Sequence, residues 1–186
     1  MVEYTGQQAR THAAIIEAAI SSLATDPNAS MGQIATAAGV GRATIHRYFP
    51  ERADLLSALV DSALKNATAA HRRARLGEGT VREAIQRLCA EYAELGTLQA
   101  ILMAGTLPDD ELAAHPLNDE QNAEVAALLP RGHADGSIDP SLNEDWFMGI
   151  IWAYTTLVYE QLSKEGTNRH AIVSEYLRRV DKAIAA

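Results

Sequence analysis

Residues 30–56 read SMGQIATAAGVGRATIHRYFPERADLL. Ser30 with Gln33 fits a capping box, in which the serine caps one backbone amide and the glutamine reaches back to another. A short helix over about 31–38 follows. Gly39 can take the left-handed conformation that closes a helix, and Val40 is placed to drop into the core. Gly41 is a tolerated N-cap for a second helix over 42–48. A turn this tight sets two helices at the angle of a helix-turn-helix, whose second helix can enter the major groove of DNA.

The second helix has two faces. Ile45 and Phe49, four apart, point inward. Arg42, Ala43, Thr44, His46, Arg47 and Tyr48 are left outside. An arginine can reach a guanine edge or a phosphate, a threonine methyl can meet a thymine methyl, and hydroxyls can donate to phosphate. A helix N-terminus itself favours a phosphate. The same shape occurs in proteins that bind no DNA, and the arginines could form an ordinary solvated face. The turn, the inward Phe49 and the outward Arg/Thr/Tyr set together favour a DNA reader.

The rest of the chain reads as helix. Alanine and leucine dominate, stretches of β-branched alternation are few, and the expected fold is all-α with about nine helices. All six prolines fall between helical patterns. Helices are expected over about 8–24, with Ala13, Ile16, Ile20 and Leu23 buried, and over 52–74, with Leu55, Leu56, Leu59 and Ala63 inward. Thr80 with Glu83 opens another, carrying Ile85, Leu88, Tyr92 and Leu95. A short helix over 98–105 precedes an irregular acidic stretch over 107–116. A further helix over 118–129 is expected to be capped by Asn118 and stapled by Leu117, before a loop over 130–140. Ser141 with Glu144 suggests a third capping box for a long apolar helix to about 164, and the last helix covers about 168–185.

The net charge of -8 taken alone argues against a nucleic-acid partner. It is unevenly spread. Residues 1–75 carry eight Lys/Arg and six Asp/Glu, whereas residues 76–186 carry eight and eighteen. A mildly basic head (1–75) on an acidic body (76–186) is what a DNA-binding domain with a separate sensing and dimerisation domain would look like. The polar start is not that of a signal peptide, and the longest apolar stretch, 146–159, is too short to span a bilayer. A cytoplasmic protein with no membrane partner is expected.

Over Ile34 to Leu56 the string IAxxAGVGRATIHRYF followed by RADLL resembles the TetR family of bacterial regulators. The resemblance implies that 42–48 is the recognition helix and that Arg42, Thr44 and Tyr48 touch operator DNA. It also sets Arg52 where the family has a phosphate-contacting lysine. Three positions depart from the family: His46 in place of a tyrosine, Gly41 in place of Ser or Thr, and the linker TDPNAS over 25–30. The resemblance further implies a ligand-responsive repressor that binds a palindromic operator as a homodimer.

The helix over 144–164 is apolar on most of its circumference, so it must bury more than one face. TetR-like proteins pair their last two helices across a two-fold axis, which assigns Leu157, Val158, Leu162, Ile172, Tyr176 and Val180 to a dimer interface. A plain core helix is the competing reading. A pocket for a small-molecule effector is expected inside the body, with Tyr92, Met103, Trp152 and Tyr159 in its wall and Cys89 nearby. The acidic body favours a neutral or cationic ligand over an anion. No cofactor, metal cluster or catalytic motif is read: G-x-S-x-G, H-E-x-x-H, a P-loop and CxxC are all missing from the sequence. The competing function is a helical small-molecule-binding or enzymatic protein with a vestigial DNA-binding head.

Overall fold

The computed structural model describes residues 6–103, 105, 107, 110, 113, 115–164 and 166–186. Ten helical segments are assigned among them: α1 (Gly6–Thr25), α2 (Met31–Ala37), α3 (Arg42–Tyr48), α4 (Arg52–Ala74), α5 (Val81–Ala93), α6 (Thr97–Met103), α7 (Pro116–Ala126), α8 (Leu128–Asp135), α9 (Glu144–Leu162) and α10 (Arg169–Ile184). The all-α layout of about nine helices holds, with α7 and α8 abutting where one helix and a loop were expected. Ala127 between them keeps helical angles (φ -63, ψ -15). Pro130 falls in the first turn of α8, where no intrahelical N–H is required, so it interrupts nothing. The helix instead ends at Gly136, whose φ of 71 closes it.

Two further expectations on helix ends are corrected. His115, not Asn118, caps α7, its ring Nδ1 accepting from Leu117 N at 3.2 Å with Pro116 as the first helical residue. Asn143, not Ser141, caps α9, accepting from Trp146 N at 3.0 Å. Ser141 is taken by Asp139, to whose carboxylate it donates from both its amide (2.8 Å) and its hydroxyl (2.7 Å). Half of the irregular stretch expected over 107–116 (108, 109, 111, 112 and 114) lies outside the described residues.

The side chains sort into two cores. The first gathers Ile15, Leu23, Ile34, Ile45, Phe49, Leu55 and Leu59 from α1–α4, with Leu98, Ile101 and Leu102 of α6 packed onto it. On α1 the buried residues are Ile15, Ala18, Ala19 and Leu23. Ala13, expected inside, is exposed. The second core unites Ala74, Ile85, Leu88, Cys89, Val125, Phe147, Ile151, Tyr176 and Ile184 from the end of α4 and from α5, α7, α9 and α10. Helix α4 spans both. It is 23 residues, hence about 34 Å long at 1.5 Å per residue.

The end of α4 is held by Arg87 of α5. Its guanidinium donates to the carbonyls of Ala74 (2.7 Å), Arg75 (3.1 Å) and Glu78 (2.6 Å), which satisfies acceptors the helix terminus leaves open. Arg82 of α5 pairs with Asp181 of α10, which also accepts from Gln86 at 3.0 Å; the pairing with Arg82 pulls the Asp181 carboxyl below its ordinary range.

Gly132 of α8 marks the tightest approach in the second core. A Cβ there would stand 2.2 Å from Ile138 Cγ1 and 3.2 Å from Val81 Cγ1. Gly132→Ala is therefore expected to cost about 1–3 kcal/mol through overpacking. Gly77→Ala, where a Cβ meets nothing within 4 Å, should stay within about 0.5 kcal/mol of the parent. Urea titrations of the two variants check the contrast, and equal midpoints would contradict it.

Candidate nucleic-acid interface and internal cavity

The α2–α3 turn is built as the sequence spacing requires. Ser30 Oγ accepts from Gln33 N (3.3 Å) while Gln33 Oε1 accepts from Ser30 N (2.7 Å), which completes the capping box. At the other end Gly39 takes φ +66. Gly39 N donates to Thr36 O (3.1 Å) and Val40 N to Ala35 O (2.9 Å), the paired bonds of a Schellman motif. Val40 is half-buried against the first core. Gly41 stands as N-cap of α3 with no side chain to contribute, and its carbonyl accepts from Thr44 N at 2.9 Å.

Ile45 and Phe49 anchor α3 in the first core. Arg42, Ala43, His46 and Arg47 are exposed and Thr44 is half-buried, so these five form one outward surface. Tyr48 departs from the expected outer set: it is only 9% exposed. The His12 ring of α1 meets it edge-on at 6.2 Å, and the Arg47 guanidinium lies 5.4 Å from its ring centroid. His12 also stacks obliquely on Phe49 at 5.2 Å, and burial lowers its pKa. His46 Nδ1 donates to the Pro50 carbonyl at 3.0 Å, which holds the imidazole against the start of the next turn. The Arg42 guanidinium folds back over Gly32, 3.4 Å from where a Cβ would be.

Arg52, the first residue of α4, has a structural duty that its sequence position did not disclose. Its guanidinium donates to the carbonyls of Ala29 and, at 3.1 Å, Pro27. It thereby fixes the α1–α2 linker against α4.

A cavity of about 900 Å³ opens beside α4, walled by Leu64 and Ala67 of α4, Tyr92 of α5, Gln99 and Leu102 of α6, Gln121 and Val125 of α7, and Met148, Ile151, Trp152 and Thr155 of α9. Tyr92 and Trp152 line it as the sequence suggests. Cys89 and Tyr159 do not: both are buried, Cys89 in the second core, and Tyr159 donates its hydroxyl to the Tyr92 carbonyl. Burial pushes the Cys89 thiol up to about 12, which leaves no thiolate for chemistry near neutral pH. The side chain of Met103 lies outside the described residues.

Residues that sequence reading missed tie this cavity to α4. His71 of α4, 2% exposed, meets Glu124 of α7 at 2.6 Å through Nδ1 and the Tyr92 hydroxyl at 2.5 Å through Nε2. Gln121 of α7 donates to the Leu64 carbonyl (2.8 Å) and the Thr68 hydroxyl (2.9 Å) of α4. No sequence signal marks a polar residue in a long helix as buried in this way. No cluster of three metal-ligating side chains occurs among the described residues, and no helix there is long and apolar enough to cross a membrane.

Among the residues assigned to a pairing face, Leu157 is 45% exposed, and Leu162 and Ile172 are half-buried. Val158, Tyr176 and Val180 are instead buried in the chain's own core, where Tyr176 shares a 2.8 Å hydrogen bond with Thr155. The reason is rotational: α9 buries the arc of Phe147, Ile151, Thr155 and Val158 against its own body. Trp146 (69% exposed) and Trp152 (58%) lie outside that arc and are the large apolar groups left facing outward with Leu157.

A Schellman-closed helix-turn-helix with an outward basic helix, joined by a long helix to a hollow helical body, defines a DNA-binding transcriptional regulator. Comparison with known proteins agrees. Residues 15–59 match the family model for bacterial regulatory proteins, tetR family. The chain is 37% identical over 183 residues to the HTH-type transcriptional repressor LfrR of Mycolicibacterium smegmatis, spanning 97% of this chain and 93% of that one. Its structure superposes on the crystal structure of LfrR from Mycobacterium smegmatis in complex with proflavine with a TM-score of 0.76, at 34% identity over 97% of this chain and 99% of the other. The ketosteroid regulator KstR2 of Mycobacterium tuberculosis shares the fold at 18% identity, with a TM-score of 0.78 over the whole of both chains. The chain belongs to the tetR family of transcriptional regulators.

The dual position of Arg52 gives a direct test. Replacing it with alanine frees two linker carbonyls from a charged donor, so Arg52→Ala should destabilise the fold by about 1–2 kcal/mol. Arg47→Ala, for which the contact seen is a surface cation–π pair, should cost under about 1 kcal/mol. Thermal unfolding of both variants without DNA checks this; an Arg52→Ala protein as stable as the parent would leave the linker contact without energetic weight.

Proposed function

We propose that the chain is an effector-responsive repressor that binds a palindromic operator as a homodimer. Residues 1–75 act as the head and 76–186 as the sensing and pairing body. The observation that carries this reading is α4: one helix begins beside α3 and continues into the wall of the cavity. A ligand seated in that wall can favour one position of α4 over another, and hence one head spacing over another. The relative LfrR is a repressor crystallised with proflavine, which supports both repression and a small-molecule effector here.

Arg42, Ala43, Thr44, His46 and Arg47 are proposed to face the major groove and its rim, with Tyr48 offering no more than its edge. Thr44, in the first turn of α3, reads base edges; the Arg52 guanidinium reaches phosphate only to the extent that it is released from the linker. The second copy is proposed to seat on Trp146 and Leu157 of α9 and Ile172 of α10, because Trp146 and Leu157 otherwise stay in water.

Fluorescence anisotropy on DNA from upstream of the gene, against scrambled DNA and across salt concentrations, tests the reading. Thr44→Ala should lose about 1–3 kcal/mol of specific affinity with little change in non-specific binding. A chain with a vestigial head would show no salt-sensitive specific site in the parent, and an unchanged operator-to-scrambled ratio in Thr44→Ala would remove base reading by α3.

Light scattering coupled to size exclusion addresses assembly separately. The parent should elute at twice the chain mass at micromolar concentration, and Leu157→Glu should shift it toward the monomer. A parent that runs as a monomer contradicts the two-half-site model.

A further inference from the structure

His46, on the outward surface of α3, is exposed, and its Nδ1 lies 3.0 Å from the Pro50 carbonyl oxygen. A carbonyl oxygen only accepts, so Nδ1 carries a hydrogen. In the neutral ring Nε2 is then a lone pair, and it has no hydrogen-bond partner among the described residues. A DNA phosphate oxygen also only accepts. Neutral His46 can therefore offer a phosphate nothing but one lone pair against another. The other neutral tautomer, with its hydrogen on Nε2, sets a lone pair of Nδ1 against the Pro50 carbonyl instead. Only the imidazolium donates from both nitrogens at once.

The charged groups around His46 are engaged elsewhere. On α3 the Arg42 guanidinium lies over Gly32, and that of Arg47 lies over the Tyr48 ring. At the start of α4 Glu51 and Asp54 accept from each other's backbone amides, and Arg52 is held by the Ala29 and Pro27 carbonyls. Helix α2 carries no charged residue, and on α1 His12 lies against Tyr48 and Phe49. No carboxylate pairs with His46 among the described residues. The chain itself thus supplies no counter-charge to this ring. A phosphate drawn onto the surface by Arg42 and Arg47 does supply one.

We propose that His46 is a proton-dependent phosphate contact: its imidazolium holds the Pro50 carbonyl through Nδ1 and a DNA phosphate oxygen through Nε2, so that each head takes up a proton as it binds. The inference rests on α3 facing DNA. It goes further by assigning one contact of that surface together with its protonation state. A backbone contact suits the position: His46 is in the last turn of α3 and tied to a residue beyond it, whereas the first turn of a recognition helix is the part that meets base edges. An imidazole in water titrates near 6.5, so about one ring in thirty is charged at pH 8 and about three in four at pH 6. A complex that needs the charged ring therefore gains affinity as the pH falls through that interval. Reading of a base N–H by neutral Nε2 carries the opposite sign, because protonation removes the acceptor.

Fluorescence anisotropy of the full-length chain on the DNA from upstream of the gene, across pH and salt concentration, tests the assignment. Parent affinity should rise at least about fivefold between about pH 8 and pH 6. Over the same interval the salt slope should steepen by about 0.9 per chain, the signature of one more neutralised phosphate. His46→Gln, which cannot take up a proton, should lose both effects and stay within about twofold of the parent at the upper pH. His46→Lys, charged throughout, should keep the steeper slope at both ends of the interval. The two variants lack the imidazole alike, so their difference reports the charge even if loss of the Pro50 bond loosens the turn. A parent affinity that falls toward the lower pH marks base reading by the neutral ring and overturns the assignment. A pH dependence that His46→Gln retains belongs to another group, His12 being the nearest histidine on α1, and overturns it as well. A parent that binds equally across the interval overturns the assignment and leaves DNA binding by α3 intact. A parent that binds this DNA at no pH overturns both.

Discussion

One helix has to satisfy two cores, and the rest of the architecture follows from how its ends are secured. Leu55, Leu59, Val60 and Ala63 of α4 belong to the first core, whereas Ala74 belongs to the second. At its start, Glu51 and Asp54 form a reciprocal cap, and Arg52 turns back to the α1–α2 linker. At its end, Arg87 of α5 gathers three carbonyls around the left-handed Arg75. Charge-assisted hydrogen bonds of this kind are stronger than neutral ones and directional, so both ends of α4 are fixed in orientation as well as in place. Its middle is different. There α4 is bordered by the cavity and held by two polar ties, Gln121 to Leu64 and Thr68, and His71 to Glu124 and Tyr92. A helix pinned at both ends and bordered in the middle by empty volume is the part of the molecule most open to displacement by an occupant.

Cost explains why those ties are polar. A buried imidazole or amide without a partner is destabilising by roughly 1–3 kcal/mol, while one with its partners is close to neutral. His71 at 2% exposure is therefore tolerated only while Glu124 and Tyr92 stay in reach. An apolar contact at the same place would slide with little penalty. The paired set instead favours one register of α4 against α5 and α7, because any shift breaks several bonds at once.

Local signals were legible and tertiary ones were not. The capping boxes at Ser30/Gln33 and Thr80/Glu83 and the left-handed Gly39 formed as the sequence spacing suggests, because each is settled within four or five residues. Ser141/Glu144 has the same spacing and failed, since Asp139 two residues upstream captures the serine and Asn143 is free to cap. Pro130 was taken for a break, but a proline in a first turn interrupts nothing. Helical periodicity set Tyr48 outside, and only the crossing of α1, which brings His12 over it, covers that ring. On α9 composition required two buried faces without saying which arc meets the chain's own body, so Val158 was assigned to the wrong side. Tyr92 and Trp152 were legible in the cavity wall by size alone. Gln99 and Gln121 of that wall, and His71 bonded to Tyr92 behind it, were not, because in sequence they are indistinguishable from the solvated residues of any long helix.

Trp152 joins the two unfinished surfaces of the molecule. It lines the cavity, and at 58% exposure it also stands on the outer side of α9 with Trp146 and Leu157. Gly149, one turn earlier, does the same: it lines the cavity and is exposed. Whatever covers this side of α9 therefore also closes part of the cavity wall. If the cover is a second copy, as proposed, the ligand is enclosed by the assembly rather than by one chain, and its binding energy depends on how closely the two subunits approach along α9. Linkage then runs both ways: an occupant that stabilises one spacing of the bodies is itself held more tightly at that spacing. The outward tryptophan would in that case be the point at which occupancy of the cavity and geometry of the dimer become a single equilibrium.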